Sequence, residues 1–186
     1  MINYLYMKLK IIKDSNPVMR KKSLPVELPL SNEDRELLNA MSEYLQLSQD
    51  EEYAKKHNIK AGVGLAAIQV NVLKRMFVVY VKDGDEVIHY QIVNPKIIET
   101  SVKKCALNDG EGCLSVDKQH KGLVHRYYKI KLEAYNALKD EDVVLTLKGY
   151  LAVVFQHEYD HLDGLFYYDR IDKNNPDKSL PNEEII

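Results

Sequence analysis

The chain has few cysteines, no excess of charge of one sign and no long apolar run. Its 186 residues include two cysteines, which argues against a disulfide framework and favours the reducing cytoplasm. The 26 basic and 28 acidic residues give a net charge of −2, so a dedicated DNA or RNA binder is not expected. No apolar stretch approaches the roughly 20 residues that span a membrane. The opening residues also lack the apolar core of a signal peptide.

Repeats, low-complexity tracts and linkers are absent from the sequence too, and the length indicates a single domain over residues 1–186. Ser31, with Asp34 three residues later, predicts a helix start, and apolar residues at helical spacing continue it to about Leu47. Residues 48–60 read as further helix or loop. Strands are predicted at 77–81 and 87–93 around an Asp83-Gly84 turn, and at 129–135 and 143–147. Short strands with two main helices predict an α+β fold with antiparallel sheet.

The most informative segment is Gln-His-Glu-Tyr-Asp-His at residues 156–161. His157 and His161 are four residues apart, so on a helix both imidazoles lie on one face and can bind one metal ion. Glu158 stands where a general base for a water molecule is needed. The upstream residues 151–155 are apolar and predict a buried helix, in which unpartnered polar side chains would each cost several kcal/mol. A metal site is therefore favoured over a chance pattern.

The third ligand is left open by this segment. Catalytic zinc-like sites usually have three protein ligands and one open position. A known extension of the motif places a third histidine six residues after the second, but this chain has Tyr167 there. The candidates are Cys113, which follows Gly112, or a downstream carboxylate from Asp169, Asp172, Glu183 and Glu184. The other cysteine, Cys105, is interpreted as a small, half-buried free thiol.

A third segment, at residues 62–69, contains two glycines followed by small apolar residues and ends at Gln69. Such a segment suggests a backbone that approaches a ligand closely, and the Gln69 amide offers a donor. Together the three segments resemble peptide deformylase, which carries Gly-x-Gly-Leu-Ala-Ala-x-Gln, Glu-Gly-Cys-Leu-Ser and Gln-His-Glu-x-Asp-His in this order. The similarity covers residues 8–172 and ends near Lys173. Residues 30–60 and 100–110 resemble the longer class of Gram-positive bacteria and their wall-less relatives, while Ile68 departs from the usual proline or threonine.

The resemblance implies a hydrolase that removes the N-formyl group from the N-terminal formylmethionine of newly synthesised proteins and releases formate. The implied fold is antiparallel sheets around a central helix that carries the His-Glu-x-x-His motif. A metal-held water, activated by Glu158, would attack the formyl carbonyl. The implied metal ligands are Cys113, His157 and His161, and the implied oxyanion donors are the Gln69 amide and the Leu114 N–H. Asp160 would orient a ligand histidine or a neighbouring backbone.

The substrate is expected to be held beside this site. Helical spacing places Tyr150, Val153 and Val154 on the face of His157, and with Val63 they would form the apolar methionine pocket. For Val154 a plain core position is the alternative. The peptide backbone would pair as an added strand with main chain near Val63, Gly64 and Gly112. Glu111 is expected to contact either Arg126 or the substrate amino group.

By analogy the metal is Fe²⁺ in the cell, with Zn²⁺, Ni²⁺ or Co²⁺ able to replace it, because imidazole and thiolate suit all four. The expected partners are N-formylmethionyl nascent peptides, with no DNA or membrane partner and a monomeric chain. A basic cluster near the start suggests either a solvated face or transient contact with the ribosome; it comprises Lys8, Lys10, Lys13, Arg20, Lys21 and Lys22. Two rival hypotheses remain, a metallopeptidase with a downstream carboxylate ligand and a metal-binding module without activity.

Overall fold

The computed structural model describes residues 9–186, so Lys8 of the predicted basic cluster lies outside the described part. Within this part there are three α-helices: α1 (Asn32–Ser48), α2 (Glu51–His57) and α3 (Gly149–Leu162). The eight strands are β1 (Gly64–Ala66), β2 (Met76–Asp83), β3 (Glu86–Thr100), β4 (Lys104–Ala106), β5 (Arg126–Tyr127), β6 (Lys129–Asn136), β7 (Glu141–Lys148) and β8 (Glu184–Ile185). Short 3₁₀ helices occupy Pro17–Arg20, Ala67–Val70 and Tyr167–Arg170.

The strands form two sheets. The larger has the order β1-β2-β3-β6-β7 with every neighbouring pair antiparallel. The smaller has the order β5-β4-β8, in which β4 and β8 are parallel. The predicted α+β fold with antiparallel sheet is therefore confirmed. The β4–β8 pair was not predicted. It joins segments almost 80 residues apart (Cys105 with Glu184), and local sequence patterns do not predict pairing over such a distance.

The larger sheet is covered on both faces, and β2 shows why. Successive side chains of a strand point to opposite faces, so Phe77 and Val79 enter one core cluster while Met76 and Val78 enter another. The first cluster also contains Phe155 of α3, and the second contains Met41 of α1. The sheet is thus packed between the two long helices, and α3 is the central helix that the resemblance implied.

The predicted local elements appear with small shifts. The Ser31 side chain accepts a hydrogen bond from the Asp34 N–H at 3.1 Å, which caps α1 at its predicted start. Residues 48–60 resolve into the end of α1, the short helix α2 and a loop. The hairpin at Asp83-Gly84 is present, with Gly84 at φ +59°. Strand β3 runs past its predicted end, with register shifts after Val93 that accommodate the proline at position 95.

Helix α3 begins at Gly149 and is followed by Gly164, and both glycines have left-handed backbone, at φ +55° and φ +74°. Ten of its residues are buried, and they include His157, Glu158 and His161. Among the residues described, no helix is both long enough and apolar enough to cross a membrane. The helix therefore brings two histidines and a glutamate into the protein interior.

Candidate active site

Three side chains from distant segments meet at α3. The ligand atoms of Cys113, His157 and His161 lie within 4.8 Å of one another, and all three residues are buried. The Cys113 Sγ is 3.3 Å from His161 Nε2, close to the roughly 3.5 Å that separates a sulfur and a nitrogen on one tetrahedral zinc-like ion. These residues fit a metal ion. In the described part of the chain, this is the one group of three metal-binding side chains so arranged.

The downstream carboxylates have other partners. Asp169 forms an ion pair with Arg20, and Glu184 forms one with Lys103. Glu183 lies 2.7 Å from His125 Nδ1, while Asp172 accepts a hydrogen bond from the Asn174 N–H at 2.8 Å. None of the four joins the cluster of Cys113 and the two histidines. The geometry therefore favours the cysteine as the third ligand.

Each histidine is oriented through the ring nitrogen that points away from the cluster. His157 Nδ1 is 2.7 Å from a Glu111 carboxylate oxygen. His161 Nδ1 is 3.2 Å from the Leu165 carbonyl oxygen, to which it can donate. Because an acceptor at Nδ1 keeps a proton there, each Nε2 atom faces the cluster. Both rings are thus oriented so that a metal ion could bind at Nε2.

A buried ionic network lies behind His157. Arg126 donates to both carboxylate oxygens of Glu111, at 2.8 and 2.9 Å, and also to Asp160. Arg170 donates to both carboxylate oxygens of Asp160. Burial opposes ionisation of Glu111, but Arg126 and His157 prevail and lower its pKa to about 2. For Glu111 the sequence allowed contact with Arg126 or with the substrate amino group, and the structure shows the contact with Arg126. Asp160 was expected to orient a ligand histidine or a neighbouring backbone, but its side chain contacts Arg126 and Arg170.

The two cysteines have opposite surroundings. Burial alone would raise the pKa of the Cys113 thiol, but the adjacent His161 and His157 lower it well below its usual value. The thiolate is the form that binds metal. Cys105 is fully buried, more than predicted, and burial raises its pKa to about 11. Cys105 is therefore an inert core thiol.

Glu158 is buried against the glycine segment. Burial raises its pKa to about 7, and its Oε2 atom has no hydrogen-bond partner among the described residues. A Cβ at position 64 would lie 2.2 Å from Glu158 Oε1, so only glycine allows this strand to pass so close. The sequence predicted a close approach of this backbone to a ligand; the structure shows a close approach of Gly64 to this carboxylate.

Gln69 is fixed beside Cys113. Its Oε1 accepts a hydrogen bond from the Ala66 N–H at 2.8 Å, which leaves the amide NH₂ pointing inward. That group is 3.5 Å from Cys113 Sγ and 3.1 Å from Ser115 Oγ. A donor is thereby placed beside the sulfur.

A cavity of about 280 Å³ opens onto this cluster. The structure brings to it every residue that the sequence suggested for substrate binding: Val63, Gly64, Glu111, Gly112, Tyr150, Val153 and Val154. Leu114 also lines it, and Val154 belongs to the core cluster as well. The sequence interpretation missed Gln49, Lys60, Ala61 and Leu107. These four come from segments without motif or periodicity, so no signal in the chain could have revealed them.

An α+β fold whose buried helix places two histidines and a glutamate against a cysteine thiolate is that of a metal-dependent hydrolase. The family model described as polypeptide deformylase matches residues 8–177. A peptide deformylase of Macrococcus caseolyticus is 51% identical over 171 residues, which cover 90% of this chain and 92% of that protein. One of Staphylococcus epidermidis is 49% identical over 178 residues, covering 95% and 96%.

The solved structures agree with the sequences. The class I type b peptide deformylase of Acinetobacter baumannii superposes with a TM-score of 0.70 at 32% identity, over 88% of this chain and 98% of that one. The chain belongs to the polypeptide deformylase family. It is a hydrolase that removes the N-formyl group from nascent chains, and the family depends on a metal.

Proposed function

We propose that this chain acts as one catalytic domain in which Cys113, His157 and His161 hold the metal and Glu158 is the catalytic base. The observation that carries the proposal is the convergence of three ligand atoms within 4.8 Å beside a buried carboxylate oxygen that lacks a partner in the described structure. When bound, a divalent cation lowers the pKa of a coordinated water and polarises the formyl oxygen.

Glu158 moves the proton. It would take a proton from the attacking water and deliver it to the amine nitrogen as the C–N bond breaks. The water oxygen is added to the formyl carbon, so the products are formate and a free amino terminus. A pKa near 7 suits a group that must accept and then release a proton at neutral pH.

Two donors are available for the negative charge that develops on the formyl oxygen. The Gln69 amide is held inward by its bond to the Ala66 N–H, and the Leu114 N–H follows the Cys113 ligand directly in the chain. Removing one such donor typically raises the barrier by about 3–4 kcal/mol. We assign both as oxyanion donors.

The methionine side chain would occupy the cavity beside the cluster. Val63, Val153 and Val154 supply apolar walls, and Tyr150, which is 43% exposed, stands at the mouth. Glu111 and Gly112 line the side from which Cys113 enters. Since Glu111 is already bound by Arg126, we assign it to holding His157 in position rather than to the substrate amino group.

The peptide backbone would extend the larger sheet. Strand β1 lies at the edge of that sheet, and the Val63 carbonyl accepts a hydrogen bond from the Tyr80 N–H of β2 at 2.9 Å. Because backbone groups of successive residues alternate in direction, the N–H and C=O of Gly64 face the open edge. An extended substrate can therefore add there as a strand, with Gly112 on its other side.

The metal, partners and location complete the proposal. The Cys-His-His donor set accepts several divalent ions, and we propose Fe²⁺ in the cell, with Zn²⁺, Ni²⁺ or Co²⁺ as replacements. The substrates would be N-formylmethionyl nascent peptides in the cytoplasm. The enzyme itself would be a monomer. The basic residues near the start would make any transient contact with the ribosome; of those that the structure describes, Lys10, Arg20, Lys21 and Lys22 are exposed.

The direct test is formate release from formyl-Met-Ala-Ser by protein prepared without oxygen, with acetyl-Met-Ala-Ser as the control. We expect formate from the formylated peptide alone. No release with iron, nickel, cobalt or zinc would end the proposal and leave a metal-binding module without activity.

A metal-binding assay separates the proposal from a metallopeptidase with a carboxylate ligand. Cys113→Ala should lose the metal, whereas Glu184→Gln, which breaks only a surface pair with Lys103, should keep it. Metal content that is retained in Cys113→Ala and lost in Glu184→Gln would favour the metallopeptidase.

A further inference from the structure

We propose that Lys60 is a positioning residue that orients and polarises the peptide unit between Cys113 and Leu114. The inference rests on the role of the Leu114 N–H as an oxyanion donor proposed above. Lys60 acts on that donor through the backbone and does not touch the reacting atoms.

The contact is direct. Lys60 Nζ donates a hydrogen bond to the Cys113 carbonyl oxygen at 3.0 Å. The same lysine lines the cavity, and within residues 9–186 no described carboxylate lies within ion-pair distance of its ammonium group. Two residues later, a Cβ on Gly62 would be 2.8 Å from a methyl carbon of Leu114. Residues 60–62 are therefore packed against the Cys113–Leu114 segment by both backbone and side chain.

The Cys113 carbonyl and the Leu114 N–H belong to one planar, conjugated unit. A cation that donates to the oxygen draws electron density from the nitrogen, so the N–H becomes a stronger donor. A hydrogen bond with a charged partner is about twice as strong as a neutral one, and hydrogen bonds in series strengthen one another by about 10–30%. The bond also fixes the plane of the unit, and with it the direction of the N–H. The Val116 N–H, 3.3 Å from the same oxygen, supports this orientation.

A second lysine contacts the next peptide unit of the same loop and serves as a matched control. Lys13 Nζ is 3.3 Å from the Leu114 carbonyl oxygen, which shares its peptide unit with the Ser115 N–H. Lys13 also forms an ion pair with Asp117 at 2.6 Å. It contacts the same loop with the same chemical group, yet it acts on a unit that has no part in the proposed mechanism. Lys13→Met is therefore the control for Lys60→Met.

Kinetics give the first test, with holoenzyme and formyl-Met-Ala-Ser. Removing a whole oxyanion donor costs about 10²–10³ in kcat, so weakening one should lower kcat about tenfold in Lys60→Met, per bound metal, with KM little changed. Lys60→Arg should restore most of the loss, because guanidinium also donates with a full charge. With this short peptide and no ribosome, Lys13→Met should stay within about twofold of the parent, because its exposed ion pair with Asp117 contributes little and the Ser115 N–H has no part in the proposed mechanism.

Labelling one peptide unit gives the second test. The dipeptide Cys-Leu occurs once in the chain, at residues 113–114. Protein with ¹³C-carbonyl cysteine and ¹⁵N leucine, loaded with diamagnetic zinc, therefore gives a single carbonyl–amide cross-peak in NMR. We expect Lys60→Met to shift both the carbonyl carbon and the Leu114 amide proton to lower frequency. Lys13→Met should leave the carbonyl carbon in place.

The outcomes separate this inference from the proposed function. An unshifted cross-peak in Lys60→Met, or a kcat per bound metal equal to that of the parent, overturns the inference while deformylation stands. A rise in KM with kcat intact also overturns it, because Lys60 would then bind the peptide directly. Absence of formate release by the parent protein refutes the proposed function itself.

Discussion

The two faces of the larger sheet are covered by helices that bury different kinds of side chain. Under α1 lies an apolar layer, defined here by Leu38, Met41 and Leu45, all fully buried. Under α3 the burial includes a polar centre, defined here by Glu111, Arg126, His157, Glu158 and Asp160, each at most 9% exposed. The side chains of the apolar layer depend on shape and volume, although α1 also buries Asp34, Ser42 and Ser48. In the polar centre, nearly every charged group depends on a specific partner.

This difference determines what a substitution does. In the apolar layer a truncated side chain leaves a cavity whose neighbours can partly relax. In the polar centre, removing one partner leaves an uncompensated buried charge, which relaxation cannot remove. The polar centre is thus the less tolerant region, and it contains the residue proposed as the catalytic base. Four substitutions, taken from the largest expected effect to the smallest, test this comparison.

Glu158→Gln should lower formate release by about 10²–10⁴-fold, because general acid–base catalysis contributes that much and the amide cannot take a proton from water. The metal should remain, since Glu158 is outside the ligand set. Turnover and metal content per chain are the measurements, and the exposed Glu86→Gln is the control. Activity near that of the parent would exclude Glu158 as the base.

Arg126→Met should destabilise the fold by about 3–5 kcal/mol, because Glu111 and Asp160 lose a buried counter-charge. Urea unfolding of the metal-free protein measures the change. Adding Glu111→Gln to the same chain should recover part of the loss by removing one of the unpaired charges. A loss of stability below about 1 kcal/mol, the contribution of an exposed ion pair, would show that water screens the charges of the polar centre.

Leu38→Ala should destabilise the fold by about 3 kcal/mol, within the range for a leucine truncated in a packed core. Deformylation per folded molecule should not change, because Leu38 does not line the cavity. Leu24→Ala is the matched control, since Leu24 is 65% exposed and a surface change stays within about 0.5 kcal/mol. If Leu38→Ala reduced kcat, the two faces of the sheet would not be independent.

Ser31→Ala should cost about 1 kcal/mol by removing the cap of α1, whereas Ser31→Asp keeps an acceptor for the Asp34 N–H and should be nearly neutral. Thermal unfolding of the three proteins measures the difference. An equal loss in both variants would mean that the hydroxyl does not act as a cap.

Local patterns in the sequence predicted the parts of this molecule that depend on local geometry. The four-residue spacing of His157 and His161 fixes both rings on one helical face, and the Ser31 cap fixes the start of α1. The hairpin at Gly84 follows from turn chemistry in the same way. These features require only neighbouring residues, so the sequence is sufficient to find them.

Contacts between distant segments were harder to predict. The arrival of Cys113 at the two histidines could be inferred only from resemblance, because the residues alone also allowed a downstream carboxylate. The Arg126–Asp160 contact joins residues 34 apart, and Lys60 reaches Cys113 across 53 residues. The sequence around Lys60 and Arg126 contains no pattern that predicts which residue each side chain contacts. Such contacts can be identified only in the folded structure.

The close approach of Gly64 to Glu158 limits how this site can evolve. Any side chain at position 64 would collide with the Glu158 carboxylate and displace the proposed catalytic base. A resistance mutation at this position would therefore sacrifice the activity that it was meant to protect. For inhibitor design, the main chain at Gly64 is an anchoring point that the target cannot readily alter.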